Sequence, residues 1–358
     1  LGLAAARPDG AGETVVEAAW LESRLFPRRR EEECTYVLST TARRIELGLP
    51  SAWLQAAATP NGLDVRVDGM PVGAAPRGDG TLVVDVPRPT ASGRATFLLR
   101  LRAECPWHGE GTWLGAASPV GIVGPVSLDA PRFPPGTLER RYFREINLPE
   151  DEHVVGASSR WTPQQRWTWR MGGLWREPVV SRAVLAEWIA GLLRAGRTRP
   201  GEPFAADPLR LGTFDDAPLL GGRVLFAGTG SPGRGQVWLV PTWLLVLAVS
   251  GPLLCVGLAI AYRPGWRRLP AVFALVLPAV LAAVAFPAIA PLILQAALPG
   301  LALSLLAAAL RRAAEPAAPT ASRQAGGSSA RIDAPTSLVV NVPYGDDSDA
   351  TQVRRALP

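Results

Sequence analysis

Residues 237–262, VWLVPTWLLVLAVSGPLLCVGLAIAY, form an uninterrupted stretch without a charged side chain. A helix that crosses a hydrocarbon core of roughly 30 Å needs about 20 apolar residues. Trp238 and Trp243 lie near the start of the stretch. Tyr262 and Trp266 lie at its end, and aromatic side chains of this kind favour the headgroup level. The stretch therefore predicts a transmembrane helix over 237–262 with these four residues at the membrane interfaces.

A second uncharged run covers 269–310. As one straight helix it would be about 63 Å long at 1.5 Å per residue, which is twice the thickness of the hydrocarbon core. Pro287 and Pro291 remove backbone donors and oppose continuation of a helix. The run therefore predicts two transmembrane helices, at 269–286 and 291–310. A re-entrant pair of helices is the alternative interpretation.

Arginines flank the apolar stretches and predict their orientation. Arg263, Arg267 and Arg268 follow the first predicted helix. Arg311 and Arg312 follow the third. Basic residues in short flanks stay on the cytoplasmic side, and three crossings place both groups there. We therefore expect an integral protein of the cytoplasmic membrane, with the β-rich region outside and the C-terminal tail in the cytoplasm.

The charge balance does not predict binding to nucleic acid. The net charge is +6 and the pI about 10.0, but the basic residues are all arginine and alternate with acidic residues along the chain. Complete replacement of lysine is typical of the coding bias of high-G+C bacteria. The apolar spans contain no ionisable side chain, which argues against ion or proton transport. The predicted partners are the membrane and other envelope proteins or membrane helices.

The region from 13 to 118 predicts a β-sandwich-like module. Short runs with apolar side chains at alternate positions are typical of strands that are buried on one face. These runs cover 35–39, 44–49, 63–67, 81–86 and 95–101. The dipeptides Asn61-Gly62, Asp68-Gly69 and Asp79-Gly80 suit hairpin turns, because these residues tolerate positive φ. The fold class expected is mainly β, with antiparallel sandwich-like modules, one amphipathic helix and an all-α transmembrane segment.

Residues 119–195 predict a second β-rich module that ends in a helix. Apolar side chains recur at helical spacing from Ser181 to residue 193, with Ser181 as the N-cap. Trp167 and Trp169 alternate with polar residues, which favours a place in the core for both. Residues 196–236 are rich in Gly, Pro and Asp and predict an irregular linker to the membrane.

Both ends of the chain predict little fixed structure. Residues 1–12 are expected to be flexible. Because the chain opens with Leu1 and lacks a signal pattern, we expect a portion of the protein to precede it. Residues 313–358 are rich in Ala, Pro, Ser and Gly, and predict a disordered tail.

Cys34 and Cys105 allow two interpretations. In an oxidising compartment they could form a disulfide that closes a loop of roughly 70 residues and contributes a few kcal/mol. Alternatively, both are free thiols buried in strands. The sequence alone does not decide between the two.

The motif PWHGEGTW at 106–113 is the only polar cluster that resembles a ligand site. Trp107 and Trp113 could stack on sugar rings beside His108, although a loop that fills a gap between sheets is the favoured interpretation. Only two histidines occur, and no metal-ligand spacing accompanies them. Nucleophile-elbow and phosphate-loop patterns are also lacking. We therefore predict no enzyme activity, no metal and no cofactor.

Three stretches resemble a family of uncharacterised exported, membrane-anchored β-module proteins of high-G+C bacteria. They are YFREINLPEDEHVV at 142–155, WTPQQRWTW at 161–169 and LWR at 174–176. The turn elements Leu49-Pro50 and Val67-Asp68-Gly69 are similar to the repeated modules of that family. The resemblance covers about half of the chain and implies β modules ahead of C-terminal membrane helices. It implies no activity.

The function expected from the sequence is that of a membrane-anchored envelope protein whose extracytoplasmic β modules act in interaction or scaffolding, without catalysis. The alternative is a membrane-tethered carbohydrate-binding module that uses exposed tryptophans. Exposed and clustered tryptophan side chains would favour the alternative.

Overall fold

The computed structural model describes the chain in several ranges. These are residues 13–26, 29–74, 76–86, 94–106, 123–149, 151–170, 173–196, 222–262 and 289–314, with residues 270, 273, 277, 281 and 284. The predicted flexible start and the tail from 315 onward lie outside the described residues. So does most of the second predicted membrane helix, although its five described residues are helical.

Fifteen strands and four helices make up the elements considered below. The strands are β1 (Thr14–Leu25), β2 (Arg29–Thr40), β3 (Arg44–Gly48), β4 (Leu63–Val67), β5 (Met70–Pro71), β6 (Thr81–Asp85), β7 (Ala95–Pro106), β8 (Gly124–Asp129), β9 (Leu138–Asn147), β10 (Glu152–Ala157), β11 (Thr162–Pro163), β12 (Gln165–Arg170), β13 (Gly173–Pro178), β14 (Arg223–Thr229) and β15 (Arg234–Pro241). The helices are α1 (Ser51–Ala57), α2 (Arg182–Gly196), α3 (Thr242–Tyr262) and α4 (Ala290–Ala314).

An eight-stranded sheet dominates the β-rich region, with the strand order β11-β14-β9-β1-β2-β7-β4-β5. Three smaller sheets accompany it: β10-β15-β8, β12-β13 and β3-β6. The mainly β prediction is confirmed. Asp68 at φ 51° lies in a hairpin turn, between β4 and β5, as predicted, whereas Asn61 at φ 61° lies between α1 and β4 and not in a hairpin. The strand pairings are antiparallel, as predicted, with one exception, because β1 runs parallel to β9.

The division into two modules and a linker does not match the structure. Strand β9 belongs to the predicted second module and β14 to the predicted linker, yet both lie in the same sheet as β1 and β2. β15, which begins at Arg234 in the predicted linker, is the central strand of the three-stranded sheet. The region therefore folds around shared sheets, because the apolar faces of its strands cannot be buried within either half alone.

One face of the large sheet packs against the smaller sheets β10-β15-β8 and β3-β6. Leu21, Tyr36 and Leu99 from the large sheet are in the same buried cluster as Leu47 and Leu239 from the smaller ones. This arrangement is a sandwich in which the inward side chains of both layers form the core.

Helix α2 covers part of the opposite face of the large sheet. Leu185, Ile189 and Leu193 lie at helical spacing and pack in one buried cluster with Trp20 and Phe143. The hydroxyl of Ser181 accepts a hydrogen bond from the backbone N–H of Val184 at 3.3 Å. The predicted helix and its N-cap are therefore present.

Helix α3 begins five residues later than the sequence predicted. Residues 237–241 extend β15 instead, with Val237 and Leu239 buried and Trp238 exposed. The apolar character of this segment therefore reflects burial in a sheet at alternate positions and not a membrane span. α4 begins with Pro291 in its first turn and includes the predicted third span at 291–310.

Candidate functional site

Three glutamates from three neighbouring strands lie side by side on the face of the large sheet that carries α2. Glu22 of β1 pairs in register with Glu145 of β9 on one side and with Glu33 of β2 on the other. Directly opposed residues share a face and have Cβ atoms about 5 Å apart. All three side chains are buried. We call Glu22, Glu33 and Glu145 the acidic row.

Arginines neutralise the acidic row. Arg223 donates from Nη2 to Glu145 Oε2 at 2.7 Å, and its Nε lies 2.7 Å from Glu145 Oε1. Arg182, at the start of α2, donates to Glu145 Oε1 at 2.8 Å and to Glu22 Oε1 at 2.5 Å. Arg100 contacts Glu33. Helix α2 is therefore joined to the sheet by ion pairs between side chains as well as by apolar packing.

Burial dominates the electrostatics of Glu22. Loss of solvent, followed by the nearby Glu145 carboxylate, raises the pKa of Glu22 to about 7, while Arg182 and Arg24 act in the opposite direction. Arg24 Nε donates to Glu22 Oε1 at 3.1 Å, and Asn147 Nδ2 donates to the same oxygen at 3.0 Å. The oxygen Glu22 Oε1 is thus fully engaged by neighbouring donors.

A second polar cluster lies on the other face, inside the sandwich. Ser23 donates to Glu32 Oε2 at 2.7 Å, and Arg144 Nη2 lies 3.7 Å from the same oxygen. Arg30 donates to the backbone carbonyl of Ser127 in the three-stranded sheet at 2.5 Å. Because Arg144 is only 1% exposed, its charge is compensated inside the protein.

The two cysteines near this cluster do not form a disulfide. Cys34 pairs with Leu101, and Cys105 lies four residues farther along β7. Four residues span about 13 Å, whereas the Cα atoms of a disulfide lie within about 7 Å. Burial and then the Glu32 carboxylate raise the pKa of both thiols, that of Cys105 to about 12. The disulfide alternative was therefore wrong, and both residues are free and buried.

His153 lies where the sheet meets α3 and does not activate a nucleophile there. Its Nε2 is 3.0 Å from Thr242 Oγ1, and the hydroxyl donates to the backbone carbonyl of Asp151 at 3.0 Å. The single hydroxyl proton is thus engaged, so the imidazole is the donor to Thr242. Burial and then Arg176 lower the pKa of His153, against the Asp151 carboxylate. The contact fixes the first residue of α3.

Helices α3 and α4 are long and apolar enough to cross a membrane. They have 21 and 25 residues, with mean hydropathy of 2.5 and 2.0 over their most apolar windows. They run parallel, because residues farther along α3 contact residues farther along α4. Ser250 Oγ donates to the carbonyl of Ala296 at 2.5 Å, and Arg311 donates to the carbonyl of Ala261. Both helices therefore begin at the same end.

The predicted interface residues are divided between the two ends of this helix pair. Trp238 and Trp243 lie at the end next to the sheet, 46% and 44% exposed. Tyr262 lies at the other end under the guanidinium of Arg311, 5.5 Å from its ring centroid. Arg312 is in the last turn of α4. Trp266, Arg263, Arg267 and Arg268 lie outside the described residues.

The two-stranded ribbon β12-β13 touches α4. Gln295 Nε2 donates to the backbone carbonyl of Leu174 at 2.8 Å. Trp169 and Trp175 of the ribbon are 70% and 55% exposed. The prediction that Trp169 lies in the core was wrong, because its indole stays exposed. Trp167, on the same face, is half-buried beside the guanidinium of Arg176, so alternation alone does not show how far along a face the cover extends.

The remaining predicted ligand residues cannot be placed. Trp107, His108 and Trp113 lie outside the described residues. Over the part of the chain that the structure describes, no group of three His, Cys, Asp or Glu side chains could hold a metal ion. The acidic row was not predicted, because Glu22 lies 11 residues from Glu33 and 123 from Glu145, and only the sheet topology brings them together. The charged positions within the apolar strand β1 were the available signal.

No protein-family model matches the chain, and no curated protein matches it. Solved structures align with it only weakly. The M1 zinc metallopeptidase from Deinococcus radiodurans aligns at 14% identity and a TM-score of 0.31, over 64% of this chain and 42% of that chain. Yeast LTA4 hydrolase in complex with bestatin aligns at 11% identity and a TM-score of 0.28, over 46% of this chain and 26% of that chain. Legionella pneumophila aminopeptidase A, in complex with aspartic acid, aligns at 7% identity and a TM-score of 0.30, over 63% of this chain and 21% of that chain. The chain thus spans less than half of each of these proteins, and no residue role is transferred from them.

Proposed function

We propose that this chain is a non-enzymatic, membrane-anchored protein of the bacterial envelope, whose β-rich domain lies outside the cytoplasm and acts in interaction or scaffolding. The observation that carries the proposal is the direct passage from β15 to α3. Pro241 ends the strand and Thr242 begins the helix. The domain is thereby fixed to an apolar helix without a flexible linker.

The exposed surface of α3 supports a place in lipid. Only 6% of its most apolar 18-residue segment is buried within the protein. At 1.5 Å per residue its 21 residues span about 31 Å, which matches a hydrocarbon core of roughly 30 Å. A soluble protein rarely exposes so large an apolar surface. Lipid is the medium that covers it without an unfavourable contact with water.

Parallel packing of α3 and α4 supports three crossings. The chain leaves α3 at its far end and must return to the sheet end before α4 begins. Residues 263–289 are available for this return, and about 21 helical residues suffice to span the membrane. α4 accompanies α3 from Ser250 to Ala261, which favours a full crossing over a re-entrant pair.

The distribution of arginines supports an outward orientation of the domain. Arg311 and Arg312 lie at the end of the helix pair that is farthest from the sheet. Positive residues next to a span remain in the cytoplasm, so the sheet end faces outward. The resemblance of residues 142–176 to exported bacterial proteins points in the same direction.

Alkaline carbonate extraction tests the anchor. Membranes from cells that express the full chain are washed with carbonate and then with detergent. We expect the protein to stay with the membranes in carbonate and to dissolve only in detergent. Leu247→Arg, which places a charge on the exposed face of α3, should weaken retention, while Leu138→Arg in the β-rich region serves as the matched control. Release of the unaltered protein by carbonate would refute the anchor.

Photo-crosslinking tests the interaction role. A photoreactive residue at the exposed Met70 or Leu138 is compared in intact cells with one at the buried Leu99. Reproducible adducts with other envelope proteins are expected from the exposed sites alone. Lack of adducts from a set of exposed sites across the domain would count against scaffolding.

Exposed tryptophans favour glycan binding as the second candidate. Trp169 and Trp175 are the exposed side chains that such a module would use. However, Trp169 is opposite Leu174 and Trp175 is opposite Thr168, so the two indoles lie on opposite faces of the ribbon. One sugar ring cannot stack on both. Binding to a glycan array that Trp169→Ala abolishes would favour this candidate over scaffolding.

A further inference from the structure

The ribbon β12-β13 presents apolar side chains on both of its faces. We call strands β12 and β13, residues 165–170 and 173–178, the Trp hairpin. Trp169 is 70% exposed on one face and Trp175 is 55% exposed on the other. The hairpin forms a two-stranded sheet of its own, and the sandwich covers it only in part. Arg176, on the face of Trp169, donates to the backbone carbonyl of Val154 in β10 at 2.7 Å, while both indoles stay exposed. A flat partner surface could cover only one of these indoles, whereas a surrounding medium covers both.

The Trp hairpin lies beside the membrane helices at a definable depth. Gln295, which binds Leu174 of the hairpin, is five residues into α4, or about 7.5 Å from its start. The next residue, Ala296, is level with Ser250 of α3. Ser250 follows Trp243 by seven residues, or about 10 Å along the helix. Leu174 of the hairpin is therefore farther along the helix pair than the interface residue Trp243.

Hydrogen bonding in the Trp hairpin suits an environment with little water. Trp175 Nε1–H donates to the backbone carbonyl of Arg170 at 3.0 Å, so the exposed indole has no unpaired polar group. Gln295 is the polar residue in an apolar segment of α4, and Leu174 satisfies its donor. Arg166 and Arg170 both pair with Glu177, at 3.8 and 2.5 Å, and each keeps more than 60% of its side chain exposed. Guanidinium groups at this level could bind lipid phosphates.

We propose that the Trp hairpin inserts into the headgroup layer and the adjoining acyl region of the outer leaflet, with Trp169 and Trp175 as lipid anchors. The inference rests on the proposed function, because it requires α3 and α4 to span the bilayer. Insertion is limited to the interface, since the outer backbone groups of a two-stranded ribbon lack partners in hydrocarbon and each would cost several kcal/mol there. The hairpin thus fixes the distance between the sandwich and the membrane.

Nitroxide accessibility tests the insertion in lipid nanodiscs. The label is attached in detergent to Trp169→Cys or Trp175→Cys in a Cys255→Ser background, and the protein is then reconstituted. Collision rates with oxygen, which is enriched in lipid, and with a water-soluble nickel complex are compared. Label on native Cys255 reports the span itself, and Leu138→Cys is the control, an exposed apolar site at the start of β9.

The expected result is a ratio of oxygen to nickel collisions that is shifted at both hairpin sites toward the value at Cys255 and away from the value at Leu138→Cys. Water-like ratios at both hairpin sites with a lipid-like ratio at Cys255 would overturn the insertion and leave the anchor intact. A water-like ratio at Cys255 would overturn the proposed function itself. A glycan or protein partner of the hairpin would give the first of these two outcomes.

Bromine quenching provides a second measurement that needs no cysteine. Lipids brominated on the acyl chains quench nearby indoles, and the unaltered protein is compared with Trp169→Phe/Trp175→Phe. We expect the double variant to lose part of the quenching. The matched control Trp188→Phe removes an indole of α2 that packs on Phe143 of the large sheet, and should leave the quenching unchanged. Equal quenching in all three proteins would overturn the insertion.

Discussion

Replacement of Glu145 tests whether buried ion pairs hold α2 on the sheet. The Glu145 side chain is fully buried and binds Arg182 and Arg223. Glu145→Ala leaves both guanidiniums without this carboxylate. Loss of one partner of a buried ion pair typically costs about 3–5 kcal/mol. Because Arg182 retains Glu22 and Arg223 is 22% exposed, we expect about 3 kcal/mol, at the lower end of that range.

Thermal unfolding of the protein in nanodiscs, followed by near-ultraviolet circular dichroism, measures this loss. For a domain of this size 1 kcal/mol shifts Tm by roughly 2–4 °C, so Glu145→Ala should lower Tm by roughly 6–12 °C. Glu145→Gln keeps an acceptor and should lie between that variant and the unaltered protein. The exposed pair Arg44–Asp85 provides the control, and Asp85→Asn should cost less than about 1 kcal/mol. Equal Tm values for Glu145→Ala and Asp85→Asn would refute the reasoning.

The structure also predicts three other results. The pKa of Glu22 is higher in the folded state, so its contribution to stability is present below the unfolded pKa near 4.5 and is lost as the pH rises through about 7. Glu22→Gln should therefore flatten the fall in Tm between pH 5 and pH 8, and an unchanged slope would contradict the assignment. In Gly300→Val the new Cβ would lie 2.5 Å from a backbone oxygen of α3, so Tm should fall, whereas Gly251→Val meets nothing within 4 Å and should not lower it comparably. Maleimide should label Cys34 and Cys105 only after unfolding, and labelling of either in the folded protein would contradict their burial.

Local features of the fold could be predicted from the sequence because they depend on neighbouring residues. Asp68 and Gly69 both adopt positive φ in the turn between β4 and β5. Ser181 caps α2 because its hydroxyl reaches a backbone N–H three residues later. Such signals act over a few residues, and the sequence contains all of their participants.

Pairings between distant residues were not predictable in this way. β1 pairs in parallel with β9 across more than 100 residues, and no local pattern encodes that choice. The acidic row follows from it, because Glu22 meets Glu145 only when the two strands are adjacent. Apolar composition alone places the five residues from Val237 to Pro241 in the membrane, whereas their alternating burial is that of a strand.

The exposed tryptophans show a related limit. Alternation in β12 indicates which side chains share a face, but burial of that face depends on whether another layer covers it. The large sheet is covered by α2 and the small sheets. The face that carries Trp169 contacts β10 only near Arg176, and Trp169 itself stays exposed. A residue at the same kind of strand position can therefore be buried, as Trp20 is, or exposed.

Labelling of introduced cysteines in protoplasts tests most directly whether the β-rich domain is held outside the membrane by three crossings. A membrane-impermeant maleimide is applied to Leu138→Cys and Ser328→Cys, each in a Cys255→Ser background. Leu138→Cys should be labelled in intact protoplasts, and Ser328→Cys, in the C-terminal tail, only after permeabilisation. Labelling of both sites in intact protoplasts, or of Ser328→Cys alone, would contradict the account.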